Sequence, residues 1–463
     1  MVTSGNVSDE PIVTNEHQAT ARLSGIADAF LSHDREIHRR ADDSIVRRFG
    51  STFTVLRRAR GFVPNPVALP RSIAEGIDVL GVGAELKNTV CIARGKHAFL
   101  STHLGDLEQV EALRSFRETI ADLQQFLAVR PSLVVHDLHP EYLSTKWALD
   151  QEVETLAVQH HHAHIASCLA ENGLNEPVLG LAFDGHGYGP DGTLWGGEFL
   201  VTDLVGYERV GHFASVALPG ASTAIRDPWR MAVSYLTTAY DANVPKDLAV
   251  VERNGVQWAD VERVTRFSST ILTSSVGRLF DAVAAILGVC DRSSFEGQAA
   301  MALERRAWFA QRSINSMSSI GSIGSVGSIS EPLPWFVEPR LQPIDLVEVD
   351  GTIRLHPFPL IRSIAEIVGA SGTKVDVNKL AWLSHRSIAD ASVRAAKMIC
   401  GRRNIGTVAL SGGVFQNALL LGMIRVDLEA SGVRVLTHQT VPPNDGGISL
   451  GQVAIGRAHA LTR

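Results

Sequence analysis

Histidines crowd one stretch of the chain, 159-QHHHAHIASCLAENG-173. On a helix His160 and His164 are four residues apart and project from one face, a spacing that lets two imidazoles share one metal ion. The chain has 17 histidines, so the same spacing also arises on a solvated helix, and on that view His161 and His162 are surface residues. The next stretch, 183-FDGHGYGPDGTLWGGE-198, ends an apolar strand in Asp184 and follows it with Gly185, Gly187 and Gly189. Glycine amides approach an anion closely, and a strand-end carboxylate suits a metal or a Mg-phosphate contact. A plain β-hairpin with 191-DG-192 at its tip reads the same residues equally well.

Two further loops have the same character. In 407-TVALSGGVFQNALLL-421 an apolar strand runs through Ser411, Gly412 and Gly413 into a helix whose first amides can hold a phosphate. In 441-VPPNDGGISLGQ-452, Asp445 precedes a glycine pair at a helix start, where helix capping is the competing role. Asp184 and Asp445 with two neutral imidazoles make a mixed nitrogen and oxygen set suited to iron or zinc more than to calcium. Loops of phosphate type in separate halves imply a nucleotide between two lobes. Asp281, in 278-RLFDAVAAILGV-289, and Glu296, in 295-FEGQAAMALE-304, are then carboxylates for ribose hydroxyls, or else surface acids.

Elements that position such loops are visible along the chain. Short β-branched runs (77-IDVLGVGAEL-86, 90-VCIARG-95, 133-LVVHD-137, 178-VLGLAFDG-185, 433-VRVL-436) alternate with glycine turns and helical patterns, as in βαβ units and a mostly parallel sheet. In 106–128, Leu107, Val110, Leu113, Phe116, Ile120, Leu123 and Phe126 recur every three or four residues and predict a helix with one packed face. The repeat 313-SINSMSSIGSIGSVGSIS-330 predicts a flexible surface insertion. Residues 1–70 hold nine arginines and no lysine and end in 62-FVPNPVALP-70, which sets a boundary near 70.

At 463 residues with 45% hydrophobic, the chain has material for about three domains and large cores, which excludes a disordered or disulfide-stapled chain. Forty glycines, 19 prolines and 6% aromatics suit an α/β protein rather than a coiled coil or propeller. A net charge of -6 offers no global field for nucleic acid. No run approaches the roughly 18–20 apolar residues of a membrane span, and the polar start is unlike a signal peptide, so the expectation is a cytosolic chain without membrane partners. Cys91, Cys168, Cys290 and Cys400 form no CxxC pair and are expected as buried free thiols.

Read together, these stretches resemble the hydrogenase-maturation carbamoyltransferase family, HypF. The phrases that carry the resemblance are 83-GAELKNT-89, 135-VHDLHPEYLSTKWA-148, 159-QHHHAHIAS-167, 219-PGASTAIRDPWRMA-232, 295-FEGQAAMALE-304, 410-LSGGVFQN-417 and 441-VPPNDGGISLGQ-452, in family order across 77–463. The resemblance implies an α/β fold of two actin-like (ribonuclease H-like) lobes over 71–463, with a nucleotide and metal cleft between them. Residues 1–70, through 3-TSGNVSDEPI-12, 33-HDREIHRRADDSIVR-47 and 57-RRARGFVPNP-66, look like the last part of a YrdC-like domain.

The activity implied is transfer of a carbamoyl group to the C-terminal cysteine of a HypE-like acceptor, towards the cyanide ligand of nickel-iron hydrogenase. Carbamoyl phosphate and ATP, with Mg, give the carbamoyl-adenylate donor in the family. Longer members carry an acylphosphatase domain, CxxC zinc-finger repeats and the front of the YrdC-like domain before the matched stretch. The expectation for this sequence is therefore the transfer half of the reaction without the adenylation half. The site residues implied are His160, His164, Asp184 and Asp445 for one iron or zinc. Gly185, Gly187, Gly412 and Gly413 would serve the adenylate phosphate, and Asp281, Glu296, Gly297 and Asn417 the nucleoside. A small-molecule O-carbamoyltransferase and a non-catalytic nucleotide-binding partner are the competing functions.

Overall fold

A computed structural model describes residues 4–7, 12–37, 40–49, 52–267, 269–320, 340–370 and 375–463. Its two large sheets share one plan. In the first, strands Val79–Gly81, Cys91–Arg94 and His97–Leu100 form an antiparallel meander, and Leu133–Asp137 and Glu154–Val158 add in parallel beside Val79–Gly81. In the second, Val178–Tyr188, Leu194–Thr202 and Tyr207–Phe213 form the meander, and Thr407–Ser411 and Arg434–Leu436 are the parallel pair beside Val178–Tyr188. Numbered within each lobe, both orders are 3-2-1-4-5. This repeated order is that of the ribonuclease H-like lobes expected, and only the chain's three-dimensional path displays it.

Burial explains why these runs are strands. Leu133–Asp137 and Thr407–Ser411 are buried at every residue, as strands covered on both faces must be, so 133–135 and 408–410 read as continuous apolar runs rather than alternating ones. The larger core lies between the second sheet and helices such as Trp229–Ala239, Val276–Ile286 and Val377–Arg403.

The fifth strand of each lobe is followed by a helix, His160–Glu171 in the first and Ile448–Leu461 in the second. These two helices cross between the sheets at Gly451, where a Cβ would stand 1.9 Å from the carbonyl oxygen of Ala163. No side chain fits there. Gln452 reaches across to the first lobe, accepting from the Gly83 amide at 2.7 Å and donating to the Gly83 carbonyl at 3.1 Å. Arg457, fully buried, donates to the carbonyls of Ile73, Ala74 and Gly95. The crossing brings the N-termini of both helices to one place.

Several expectations change. Helix Val110–Leu127 buries Phe116 and Ile120, but Val110 and Phe126, at its ends, are 72% and 66% exposed. Helix Gln298–Ile320 runs through the first eight residues of the presumed flexible insertion, and 321–330 lie outside the described residues. The first sheet takes in Val67–Ala68, just before residue 70. Of the four free cysteines Cys290 is only half-buried. Among the described residues no helix is long and apolar enough to cross a membrane.

Before the first sheet come helix Glu16–Leu23 and the hairpin Ile45–Phe49/Thr52–Arg57. The hairpin docks on the second lobe. Val55 donates to the Gln439 carbonyl at 2.9 Å, and Arg47 pairs with the buried Glu304 at 2.6 Å.

Candidate metal centre and nucleotide cleft

The helix His160–Glu171 begins at a cap in which the Gln159 side chain accepts from the His162 amide. Sandwiched between the lobes, it is buried on every face to Ala170, so His161 and His162 are not the surface residues that the solvated-helix reading implied. His162 donates from Nε2 to the Asp203 carbonyl at 2.9 Å, and the Nε2 of His161 is buried without a hydrogen-bond partner. His160 and His164, one turn apart, face Asp184 and Asp445.

His160 Nε2 lies 3.3 Å from Asp184 Oδ2 and 3.8 Å from Asp445 Oδ1. His164 Nε2 lies 3.4 and 3.7 Å from the same two oxygens. The four donor atoms all fall within 4.8 Å of one another. Donors held about 2.0–2.2 Å from one tetrahedral ion stand roughly 3.3–3.6 Å apart, so the set fits a divalent metal of the iron or zinc kind. His164 Nε2 adds a second indication, being buried with no hydrogen-bond partner. An orphan of that kind in a native interior calls for a missing partner.

Electrostatics point the same way. Burial works to depress the basicity of His160, but the carboxylate of Asp137 and bonds to Asp137 and Asp184 hold its pKa well above the usual imidazole value. Burial lowers that of His164. Asp184 stays well below the ordinary carboxylate range despite burial, because the imidazoles of His160 and His164 stand against it. Burial and the neighbouring Asp184 push Asp445 up to about 7. Two carboxylates this close repel each other unless a cation offsets their charge.

Two of the four residues of the cluster are held by a second residue. Asp137, ending the fourth strand of the first lobe, accepts from His160 Nδ1 at 2.7 Å, which leaves Nε2 turned inward. Gly413 donates its amide to Asp184 Oδ1 at 2.9 Å, and the Gly412 amide donates to the Pro443 carbonyl at 2.9 Å. The amides of Gly412 and Gly413 therefore do not offer themselves to a phosphate as expected; they tie the Asp184 strand to the Asp445 loop. Gly412, at φ +105°, lies so near the Phe183 carbonyl that a Cβ would stand 2.2 Å from its oxygen.

Asp445 is not the cap of its helix. Asn444 takes that role by accepting from the Gly446 amide at 3.0 Å, which frees the Asp445 carboxylate for the cluster. The loop before it is anchored by Glu171, whose Oε1 accepts from the amides of Gln439, Thr440 and Val441 at 3.1, 2.5 and 3.2 Å. The other oxygen of Glu171 accepts from His438 Nδ1 at 2.9 Å, and His438 Nε2 accepts from the Ser411 hydroxyl at 2.8 Å.

The glycine-rich stretch after Asp184 is a hairpin, strands Val178–Tyr188 and Leu194–Thr202, and Asp184 lies within the first strand rather than at its end, so the hairpin reading is the one that describes it. Its register breaks between Trp195 and Gly197, opposite Asp184 to His186. The buried carboxylate of Glu198 holds that break, accepting from the amides of Gly196 and Gly197 at 3.0 Å. Gly185 faces open space, with nothing within 4 Å of a built Cβ, and keeps the room a phosphate needs. Gly187 is packed instead, since its Cβ would stand 2.7 Å from a ring carbon of His160.

The nucleoside candidates separate. Asp281 is buried and paired with Arg278 at 2.7 Å in helix Val276–Ile286, so it is neither a surface acid nor an unengaged carboxylate. Asn417 accepts from the Leu420 amide at 3.0 Å as a helix cap and donates to His385 Nε2 at 2.9 Å. Glu296 is half-exposed and bonds Lys87 of the first lobe. Gly297 follows it at φ +75°. Sequence reasoning missed Asp137, Glu171, Glu198 and Lys87. The phrases around them were legible, but for Asp137, Lys87 and Glu171 spacing along the chain gave no hint of partners 23 to 270 residues away.

Two ribonuclease H-like lobes with a largely buried His2Asp2 cluster at their crossing define an actin-like protein with a candidate metal centre. Residues 180–452 match the family described as "Carbamoyltransferase, Kae1-like Domain, second subdomain", 74–171 the "HypF Kae1-like domain", and 1–59 "Telomere recombination". The chain belongs to the HypF carbamoyltransferase family. It is 40% identical to carbamoyltransferase HypF2 of Cupriavidus necator over 99% of this chain and 56% of that protein. A carbamoyltransferase HypF homolog of the same organism is 34% identical over 81% of this chain and 90% of its own length. A full-length HypF solved in a phosphate- and nucleotide-bound form superposes with a TM-score of 0.85 at 36% identity, over 98% of this chain and 67% of that one. The chain thus spans little more than half of the HypF2 it matches.

Proposed function

We propose that the chain transfers a carbamoyl group from carbamoyl-adenylate to a cysteine thiol at the C-terminus of a HypE-like acceptor, towards the cyanide ligand of nickel-iron hydrogenase. The observation that carries this reading is the convergence of His160, His164, Asp184 and Asp445 where the two lobes cross. Relatives named as carbamoyltransferases, one of them solved with phosphate and nucleotide, support the donor class.

A carbamoyl-adenylate is already activated, so the protein's task is to orient its carbonyl, shelter it from water and accommodate the departing phosphate. An iron or zinc ion on the four donors would supply Lewis-acid polarisation of the mixed anhydride. Asp137 keeps His160 in one tautomer, and the Gly413 amide fixes the orientation of Asp184. Gly185 leaves backbone open for the phosphate. The attacking thiol comes from the acceptor. Cys91 and Cys168 are fully buried with their pKa values raised by burial, which makes them poor nucleophiles.

Metal analysis of the purified chain tests this centre. The expected result is about one iron or zinc per chain, lost in His164→Ala, because removing one of four ligands severely weakens a site. Full occupancy in both His160→Ala and His164→Ala proteins would overturn the assignment.

A further inference from the structure

The hairpin Ile45–Phe49/Thr52–Arg57 lies outside both lobes, yet its bonds converge on the two loops beside the cluster. One is the turn Gly413–Gln416, whose Gly413 amide holds Asp184, and the other ends in Asn444 and Asp445. Arg47 reaches furthest from the hairpin. Its guanidinium donates to both oxygens of Glu304 at 2.6 and 3.0 Å and to the Gln416 carbonyl at 2.8 Å. A bidentate pair of this kind fixes direction as well as charge. The Glu304 side chain is only 6% exposed against 36% for Arg47, so the carboxylate is the partner that burial leaves dependent on the pair.

Gln416 carries the contact onward. Its Nε2 donates to the Gly413 carbonyl at 3.1 Å, and its Oε1 accepts from Asn444 Nδ2 at 2.8 Å. Asn444 Nδ2 also donates to the Leu56 carbonyl at 3.0 Å, on the second strand of the hairpin. The bonds close a ring that leaves the hairpin at Arg47, crosses both loops and returns at Leu56. Gln416 thereby touches the residue that orients Asp184 and the residue that precedes Asp445. The backbone bond from the Gly412 amide to the Pro443 carbonyl ties the same two loops, so the ring adjusts their spacing rather than creating it.

We propose that Arg47 is a positioning residue of the transfer site: through Gln416 it sets the spacing of Asp184 and Asp445, so the N-terminal hairpin completes a centre that the two lobes frame. This rests on the reading of the four-residue cluster as a metal centre. Arg47 touches neither the cluster nor a substrate and acts through Gln416 alone.

Cobalt(II) loaded into the full chain tests the proposal, because its visible absorption follows the coordination geometry and a competing chelator measures its affinity. Arg47→Met keeps the length of the side chain and removes its donors. It should weaken cobalt binding about tenfold and change the visible bands, as loss of an outer-shell support does. Arg47→Lys, which returns the charge without the fork, should recover part of that affinity. Gln416→Met should reproduce both changes with the Arg47 and Glu304 pair intact, and it carries the test should Arg47→Met not fold. The double variant should lose no more than the larger single loss, since both act through one relay. A wild-type cobalt spectrum and affinity in Arg47→Met, whatever its thermal stability, would show a hairpin anchor only and overturn the proposal, as would fully additive losses in the double variant. A wild-type chain that binds no cobalt would overturn the metal-centre reading and this assignment together.

Discussion

Asp137 shows what a single carboxylate does at this site. Its bond to His160 Nδ1 fixes which ring nitrogen faces Asp184 and Asp445 and raises the basicity of that nitrogen. Asp137→Asn keeps an acceptor of the same shape and removes the charge. We expect metal affinity, measured by competition with a chelator, to fall about 10- to 100-fold with little change in thermal stability. Unchanged affinity would mean that the four ligands need no such support. The four residues of the cluster were only partly legible in the sequence: four residues is one helical turn, which pairs His160 with His164, whereas Asp184 and Asp445 carried hairpin and helix-capping readings as well. Asp137 was not legible, since its partner lies 23 residues on and is reached only because the fourth strand ends beside the histidine helix.

At the scale of elements, the strands and most helices followed from apolar runs and three-to-four spacing. Their pairing order did not, because continuous apolar strands carry no register mark. The ends of elements were least legible. Val110 and Phe126 continue the periodic pattern yet stand in solvent, and Asn444 rather than Asp445 caps the turn. Glu171 illustrates how an element end serves the site, since it anchors the loop that delivers Asp445. Burial acts to raise its carboxyl pKa, but the bonds from His438 and Thr440 outweigh it and leave the folded-state value below the usual carboxylate range. A depressed folded value means that the stabilisation is present above the unfolded pKa and is lost as pH falls through the folded one. Glu171→Gln should therefore lose about 1–3 kcal/mol against denaturant at pH near 7.5, with the difference from wild type shrinking below about pH 4.5. A difference that stays constant with pH would show that the anchor is not ionic.

For the whole molecule, the repeated 3-2-1-4-5 order explains why a site exists where it does. Each lobe ends in a helix, the two helices cross at Gly451, and the crossing places His160 and His164 of one lobe against Asp184 and Asp445 of the other. The N-terminal hairpin adds to this arrangement from outside the lobes, because Val55 and Leu56 bond to Gln439 and Asn444 of the loop that holds Asp445. Composition could indicate an α/β protein with several cores, but not that its halves repeat, since the duplicated strands share an order and not a sequence pattern. The proposed reaction depends on this assembly acting as one site. Mass spectrometry of a HypE-like acceptor incubated with the chain and preformed carbamoyl-adenylate tests it most directly. The account predicts a carbamoyl gain on the acceptor's C-terminal cysteine peptide that disappears with Asp184→Ala or Asp445→Ala, whereas no gain with the wild-type, metal-loaded chain, or an undiminished gain with both variants, would contradict it.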